Sequence, residues 1–218
     1  MTEHSGRCVR GEGTRERLLR AAERVFADKG YRAATVREIT EAAGANVAAV
    51  NYHFGGKHDL YLELFRDRIE SMAAIRQAAR AQAWGGDPVE DLRRVTAAFV
   101  RSWFGLMLGE KREGGGGRFP TLVMREIGDP GPAYPVLLDR LIRPTHEMFQ
   151  GLILRARPDL GPDRATLCAA SLVGQVIHFV RARRVLETLL GRECDPAMAE
   201  RICEHVVSFT LGGVGVAP

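Results

Sequence analysis

The sequence predicts an all-α protein, and three features of its pattern support this fold class. Apolar residues recur at spacings of three and four along most of the 218 residues, which is the period of one buried helix face. Glycines separate these segments, and proline is absent before Pro88. No segment alternates polar and apolar residues as a half-buried strand does. We therefore expect successive helices and no sheet.

The first predicted helix starts at Thr14, whose hydroxyl is a candidate N-cap, and ends at Lys29 and Gly30. Residues 1–13 are polar and of mixed charge, and they lack the apolar centre of a secretory signal, so we expect a flexible tail there. The apolar positions of the helix lie on one stripe and are Leu18, Leu19, Ala22, Val25 and Phe26.

Two short helices are predicted next, separated by a turn at Gly44. Thr35 and Glu38 have the spacing of a capping box, which predicts the start of a helix that continues to residue 43. The other short helix is predicted at residues 47–54. The pair has the elements of a helix-turn-helix, in which the second helix enters the major groove of DNA.

The remaining helices are predicted from their apolar stripes and from the glycines and prolines between them. The glycine-rich segment 109–117 is predicted to be a loop, and no role is assigned to residues 114–117. Pro144 lies inside one of these helices and is expected to kink it. The helices are expected at residues 57–82, 89–108, 119–127, 136–155, 162–190 and 195–211.

The second short helix carries side chains suited to DNA. Asn can pair with adenine, Ala can meet a thymine methyl, and Tyr or His can donate to phosphate. Lys57, just beyond the helix, is a candidate phosphate contact. The alternative is an ordinary helix hairpin that docks a partner protein. Val47 and Val50 are expected to face inward, leaving Asn46, Ala48, Ala49, Asn51 and Tyr52 outward.

These residues occur in a known order. The run 35–60, T-V-R-E-I-T-E-A-A-G-A-N-V-A-A-V-N-Y-H-F-G-G-K-H-D-L, resembles the DNA-binding segment of tetracycline-repressor-like (TetR) regulators. The preceding F-A-D-K-G-Y extends the resemblance to residues 14–65. N-Y-H-F-G-G-K together with M-R-E-I-G-D-P at 124–130 is also similar to one TetR subgroup with a shared C-terminal domain.

The resemblance implies roles for particular residues. Thr35 caps the second helix, and Tyr52, His53 and Lys57 lie near the DNA backbone, although His53 has local packing as an alternative. Asn46 and Asn51 depart from the residues that many members carry. We therefore expect Asn51 to replace a phosphate contact with a base contact.

The resemblance also implies a helical DNA-binding domain at 14–60 and an effector-binding, dimerising body at 61–212. Its partners would be double-stranded operator DNA, a small-molecule effector and a second copy, which pairs through the last two long helices. Repression is the default, with activation open. Candidate effector-pocket residues, for which ordinary core packing is the alternative, are Phe99, Trp103, Met107, Met124, Tyr134, Phe149, Gln175, His178 and Phe179.

Gln175 and His178 are candidates because they are polar residues within an apolar run, where a buried polar group needs a partner. That partner is a ligand, a symmetry mate or nearby backbone. Arg125 and Glu126, beside a proline-rich bend, are interpreted as a structural ion pair, with the pocket as the alternative.

Composition restricts the other function classes. The net charge of +4 is spread along the chain, so charge alone does not indicate DNA binding. No apolar run reaches the roughly 18 to 20 residues needed to cross a bilayer. The four cysteines show no C-x-x-C spacing, and no catalytic motif is present. We therefore expect a cytoplasmic protein that is not an enzyme and has no metal or other cofactor.

Overall fold

The computed structural model describes residues 13–83, 86–108 and 118–216, with side chains described for all of them except 72–83 and 106–108. Within these ranges every regular element is helical, which confirms the all-α prediction. The predicted glycine-rich loop at 109–117 and nearly all of the predicted tail lie outside the described residues. The α-helices are α1 Thr14–Ala33, α2 Val36–Ala43, α3 Val47–Phe54, α4 Lys57–Ala83, α5 Pro88–Leu108, α6 Phe119–Gly128, α7 Tyr134–Leu137, α8 Arg143–Ala156, α9 Pro162–Arg181, α10 Arg183–Leu190 and α11 Pro196–Val214.

The helices α1, α2 and α3 pack with the start of α4 into an N-terminal unit that we call the head. Thr14 is the first helical residue and Gly13 occupies the N-cap, so the prediction that Thr14 caps α1 is wrong. Gly30 leaves helical geometry with a φ of 78°, where the sequence predicted the helix to end. Inside the head, Nε of Arg68 lies 2.8 Å from Oε2 of the buried Glu23, which ties α4 to α1.

The helices α5 to α11 form the body, in which α5 packs against α4, α8 and α11. A buried carboxylate joins two of these helices. Asp91 of α5 is fully buried and lies 2.8 Å from Arg94 and 3.0 Å from Arg155 of α8. Because a buried charge without a partner is costly, this pairing fixes α5 against α8.

Pro144 has a local effect on the fold. The predicted helix 136–155 is divided into α7, a π-helical turn at Leu138–Ile142, and α8. The N–H of Arg143 donates to the carbonyl of Leu138, five residues back. Proline has no N–H, and its ring disfavours a regular α-helix in the turn that precedes it. The wider π-helical turn just before Pro144 accommodates the proline without ending the helix.

The predicted helix 162–190 also differs from the structure. It breaks at Ala182, which has φ −85° and ψ 12°, and α10 bends away from α9 by 69°. No single helix among those described has the length and apolar character to cross a bilayer. Within the described ranges, α9 and α10 meet that test of length and composition together, as a bent pair.

Candidate nucleic-acid interface and ligand cavity

The start of α2 is fixed by a capping box. Oγ1 of Thr35 accepts a hydrogen bond from the N–H of Glu38 at 3.3 Å, and Oε2 of Glu38 accepts one from the N–H of Thr35 at 3.0 Å. Nζ of Lys29 donates to Oε1 of Glu38 at 2.6 Å. The hydrogen bond from Lys29, followed by those from Thr35, lowers the pKa of Glu38 to about 2. The predicted capping role of Thr35 is confirmed.

The turn between α2 and α3 depends on Gly44 and Asn46. Gly44 takes the left-handed conformation with φ 60°, which disfavours a residue with a Cβ. Asn46 caps α3, because its Oδ1 accepts a hydrogen bond from the N–H of Ala49 at 2.9 Å. The oxygen of Asn46 is therefore committed to the fold, whereas its amide N–H groups remain available to a partner at this exposed position.

One residue of α3, Val50, is fully buried, and it holds the helix to the head. Val47 is 49% exposed, so the prediction that it faces inward is wrong. It is the first residue of an eight-residue helix and lies at the end of the buried stripe. Of the residues predicted to face outward, Ala49 is half-buried and the others are exposed, namely Asn46, Ala48, Asn51 and Tyr52. His53 is exposed as well.

Lys57, the first residue of α4, is half-buried. Its Nζ donates to the carbonyl of Arg32 at 3.3 Å and lies 4.7 Å from the centre of the Tyr31 ring. These contacts join the start of α4 to the last turn of α1. To reach a phosphate, as the sequence predicted, the flexible side chain has to leave them.

A cavity of about 270 Å³ lies in the body between α5, α6, α8 and α9. Four of the predicted pocket residues line it: Phe99, Trp103, Met124 and Tyr134. The sequence reasoning missed most of the other lining residues, because they are contributed by the π-helical turn, α8 and α9 and have no distinguishing local pattern. Those lining residues include Ile142, Thr145, His146, Ala170, Gly174 and Ile177.

The other predicted pocket residues lie elsewhere. Phe149 is fully buried, with its ring centre 5.2 Å from that of Phe99. Phe179 packs against His205 of α11. The expectation that Gln175 and His178 are buried polar groups is wrong, because Gln175 is half-buried and His178 is exposed on the outer side of α9. The side chain of Met107 lies outside the described residues.

Arg125 and Glu126 of α6 contact the head. The hydroxyl of Tyr61 in α4 donates to Oε1 of Glu126 at 2.7 Å, and the N–H of Gly131 donates to Oε2 of Glu126 at 2.9 Å. Arg125 donates to the carbonyl of Asp28 at 3.3 Å. Burial, followed by the bond to Glu126, raises the pKa of Tyr61 far above its ordinary value. The phenol therefore stays a hydrogen-bond donor.

Sequence comparison gives two family matches that divide the chain. Residues 18–64 match the family model described as "Bacterial regulatory proteins, tetR family". Residues 90–214 match the model described as "HTH-type transcriptional dual regulator CecR, C-terminal domain", which is more than half of the chain. The first match covers α2 and α3, and the second covers the helices around the cavity.

Individual relatives agree with these matches. The dual regulator CecR of Shigella flexneri is 29% identical over 210 residues, which are 91% of this chain and 88% of that protein. The repressor AcnR of Corynebacterium glutamicum is 42% identical over 62 residues, and this alignment spans 28% of this chain and 33% of AcnR.

Solved structures share the fold. A TetR-like transcriptional regulator from Rhodococcus sp. RHA1 has a TM-score of 0.67 at 18% identity, with 93% of this chain and 96% of that one covered. AibR in complex with isovaleryl coenzyme A and operator DNA has a TM-score of 0.65 at 17% identity, with 90% and 97% covered.

Proposed function

Because this chain belongs to the TetR family of bacterial transcriptional regulators, we propose that it is a homodimeric repressor that a small-molecule effector releases from its operator. As a regulator of this family it binds DNA and is not an enzyme. It acts on bacterial DNA, so we place it in the cytoplasm. The proposed DNA-binding domain, 14–60, and the proposed effector-binding and dimerisation domain, 61–212, meet within α4, so this helix connects the head to the body.

The exposed side of α3 is the proposed DNA-binding surface. Tyr52 is 86% exposed, so its phenol hydroxyl is free to donate to a phosphate. We assign Tyr52 and His53 to phosphates, and Asn51 to a base edge in the major groove. Ala48 and Ala49 would contact thymine methyl groups. Thr35 and Lys57, beside the groove, would approach the backbone of the duplex.

The outer side of α9 and α11 supports the proposed dimer. Leu167 of α9 is 67% exposed and Phe209 of α11 is 60% exposed. On the same two helices Ser171 and Gly212 are small and exposed, which leaves room for a second pair of helices to approach. A dimer through these helices would present two copies of α3 to successive major grooves, about 34 to 36 Å apart.

The 270 Å³ cavity is the proposed effector site. Met124 of α6 lines this cavity and also the cleft between α6 and the head. If a ligand binds the cavity more tightly in one arrangement of α6 than in another, ligand binding shifts the protein toward the tighter-binding arrangement. The size of the shift is set by the difference between the two affinities. If the two copies of α3 are wrongly spaced in that arrangement, ligand binding weakens DNA binding without touching DNA.

A gel-shift assay at low salt, with DNA from upstream of the gene, tests the proposal. We expect the parent protein to retard this DNA, and the double variant Tyr52→Ala, Lys57→Ala to do so much more weakly. Arg184→Ala is the matched control, since it removes an exposed cation from α10 in the body. If the parent fails to retard the DNA, or the double variant behaves like the parent, the proposal is wrong and a protein partner for α3 becomes the better hypothesis.

A further inference from the structure

We propose that the cavity binds a small, neutral, largely apolar molecule that carries one hydrogen-bond acceptor, such as an aromatic ketone, and that it discriminates against anionic ligands. This inference rests on the proposed function, because it assigns a chemical class to the same effector site. Three properties of the lining carry it: its apolar character and size, its unpartnered polar atoms, and its lack of lysine and arginine side chains.

The lining is mainly hydrocarbon. Rings from α5 and aliphatic side chains from α6 and α9 form most of the wall, including Phe99, Val123, Ile127 and Ile177. A volume of about 270 Å³ is just below the usual range for ligand pockets, which is roughly 300 to 1,000 Å³. The cavity therefore suits a compact ligand of one or two rings, since a long flexible chain would not fit.

Two buried polar side chains in the lining lack hydrogen-bond partners within the described part of the chain. One is Trp103, which is 5% exposed and whose indole Nε1 has no partner. The other is Thr145, which is 4% exposed and whose hydroxyl Oγ1 has no partner. An indole N–H only donates, and a hydroxyl donates or accepts. Both atoms have almost no accessible surface, so a rotation of the Thr145 side chain or a shift of the Trp103 ring has to bring a donor to the cavity wall, where an acceptor on the ligand would pair with it.

The backbone explains why Thr145 is unpaired. A threonine in an α-helix ordinarily donates its hydroxyl to a carbonyl three or four residues back. For Thr145 those carbonyls belong to the π-helical turn Leu138–Ile142, where the regular four-residue pattern is interrupted. The turn that accommodates Pro144 therefore also leaves the hydroxyl of this cavity-lining residue unpaired.

The lack of lysine and arginine in the lining makes the cavity unfavourable for anionic ligands. No lysine or arginine occurs among the described residues that line the cavity. By contrast, Lys29, Arg32 and Arg125 line the cleft between α6 and the head. Because a buried carboxylate without a lysine or arginine beside it is strongly unfavourable, the cavity disfavours carboxylates. Its volume of about 270 Å³ also leaves no room for the nucleotide part of a coenzyme A thioester. In this respect we expect it to differ from AibR, whose structure holds isovaleryl coenzyme A.

Isothermal titration calorimetry on the full chain tests this with probes that share one ring system: 2-acetylnaphthalene, 2-ethylnaphthalene and 2-naphthoate, with isovaleryl coenzyme A as a further anion. We expect the ketone to bind about tenfold more tightly than the hydrocarbon, since only the ketone satisfies a buried donor. The two anions should bind more weakly than either. Thr145→Val and Trp103→Phe each remove one donor, and at least one of them should abolish the preference for the ketone while retaining the hydrocarbon.

Several results would overturn the inference: equal affinities of the ketone and the hydrocarbon, tighter binding of either anion, no binding of any probe, or a preference that survives in both variants. A gel shift with the same probes separates this inference from the proposed function. If 2-acetylnaphthalene binds with the expected selectivity but leaves the protein–DNA complex intact, the ligand class stands and effector release fails. If an anion releases the DNA, effector release stands and the ligand class fails.

Discussion

The hydroxyl of Tyr61 donates a 2.7 Å hydrogen bond to Oε1 of Glu126, and this buried bond joins α4 of the head to α6 of the body. The other oxygen of Glu126 accepts from the N–H of Gly131, so the carboxyl group is held from two sides. Two residues earlier in α6, Met124 lines the ligand cavity. A movement of α6 caused by a ligand would therefore act on α4 directly.

Replacing Tyr61 by Phe should weaken this connection. The variant leaves Oε1 of Glu126 buried without its donor, which costs about 1 to 3 kcal/mol. We expect a fall of that size in the free energy of unfolding, measured by urea denaturation. We also expect a smaller ratio between the DNA affinities measured without and with 2-acetylnaphthalene, because α6 and α4 are then less tightly coupled.

Tyr31→Phe is the matched control for this prediction. The Tyr31 ring lies 4.8 Å from the Tyr61 ring, centre to centre, in the same aromatic cluster. Its hydroxyl makes no hydrogen bond to any residue that the structure describes. The control should retain both the stability and the affinity ratio of the parent. An unchanged affinity ratio in Tyr61→Phe would show that the connection between the two parts lies elsewhere.

The capping box of α2 should make stability depend on pH in a defined window. The pKa of Glu38 is lowered from 4.5 to about 2 in the folded protein. Since the folded-state pKa lies below the unfolded value, the contribution is complete above about pH 4.5 and is lost as the pH falls toward 2. Thermal unfolding of Glu38→Gln and the parent should therefore differ most at pH 6 and converge toward pH 3. A difference that grows on acidification would contradict the assignment.

The two asparagines of α3 should have separable roles. Asn46→Ala removes the cap of α3 and should cost about 1 kcal/mol of stability, whereas Asn46→Ser retains a capping oxygen and should cost less. Asn51→Ala should leave stability unchanged but weaken binding to operator DNA by about 1 to 3 kcal/mol, through a lost base contact. Fluorescence anisotropy with operator and scrambled duplexes checks this. An equal loss on both duplexes would place Asn51 on the backbone instead.

The exposed Phe209 should be required for dimerisation. Phe209→Glu places a charge in the centre of the proposed interface, so we expect monomers in sedimentation velocity and a large loss of operator affinity. Thr121→Glu adds the same charge to an exposed position on α6 and serves as the control. Dimers of undiminished stability in Phe209→Glu would exclude α11 from the interface.

Local sequence patterns predicted the elements of the head well. The spacing of Thr35 and Glu38 identified the start of α2, and Gly44 identified its end, because capping and left-handed turns depend on residues close together in the chain. The same kind of pattern placed Val47 inward incorrectly, since burial at the end of a short helix depends on what packs against it.

Features of the body depend on contacts between distant residues and could not be predicted in this way. Tyr61 and Glu126 are 65 positions apart, and neither neighbourhood indicates the bond. Pro144 correctly indicated an irregular helix, but the π-helical turn and the unpaired Thr145 are properties of the folded backbone. His178 was misjudged because the apolar run around it covers both a core face and an outer face of α9.

A footprint of the protein on DNA from upstream of its gene tests the central claim most directly. Hydroxyl-radical cleavage measured with the parent protein should reveal two protected half-sites, with centres about 10 base pairs or a multiple of that apart, as two copies of α3 in one dimer require. Addition of the effector should remove both protections together. Protection of a single unrepeated segment, or no protection at low salt, would contradict a dimeric repressor that reads DNA through α3.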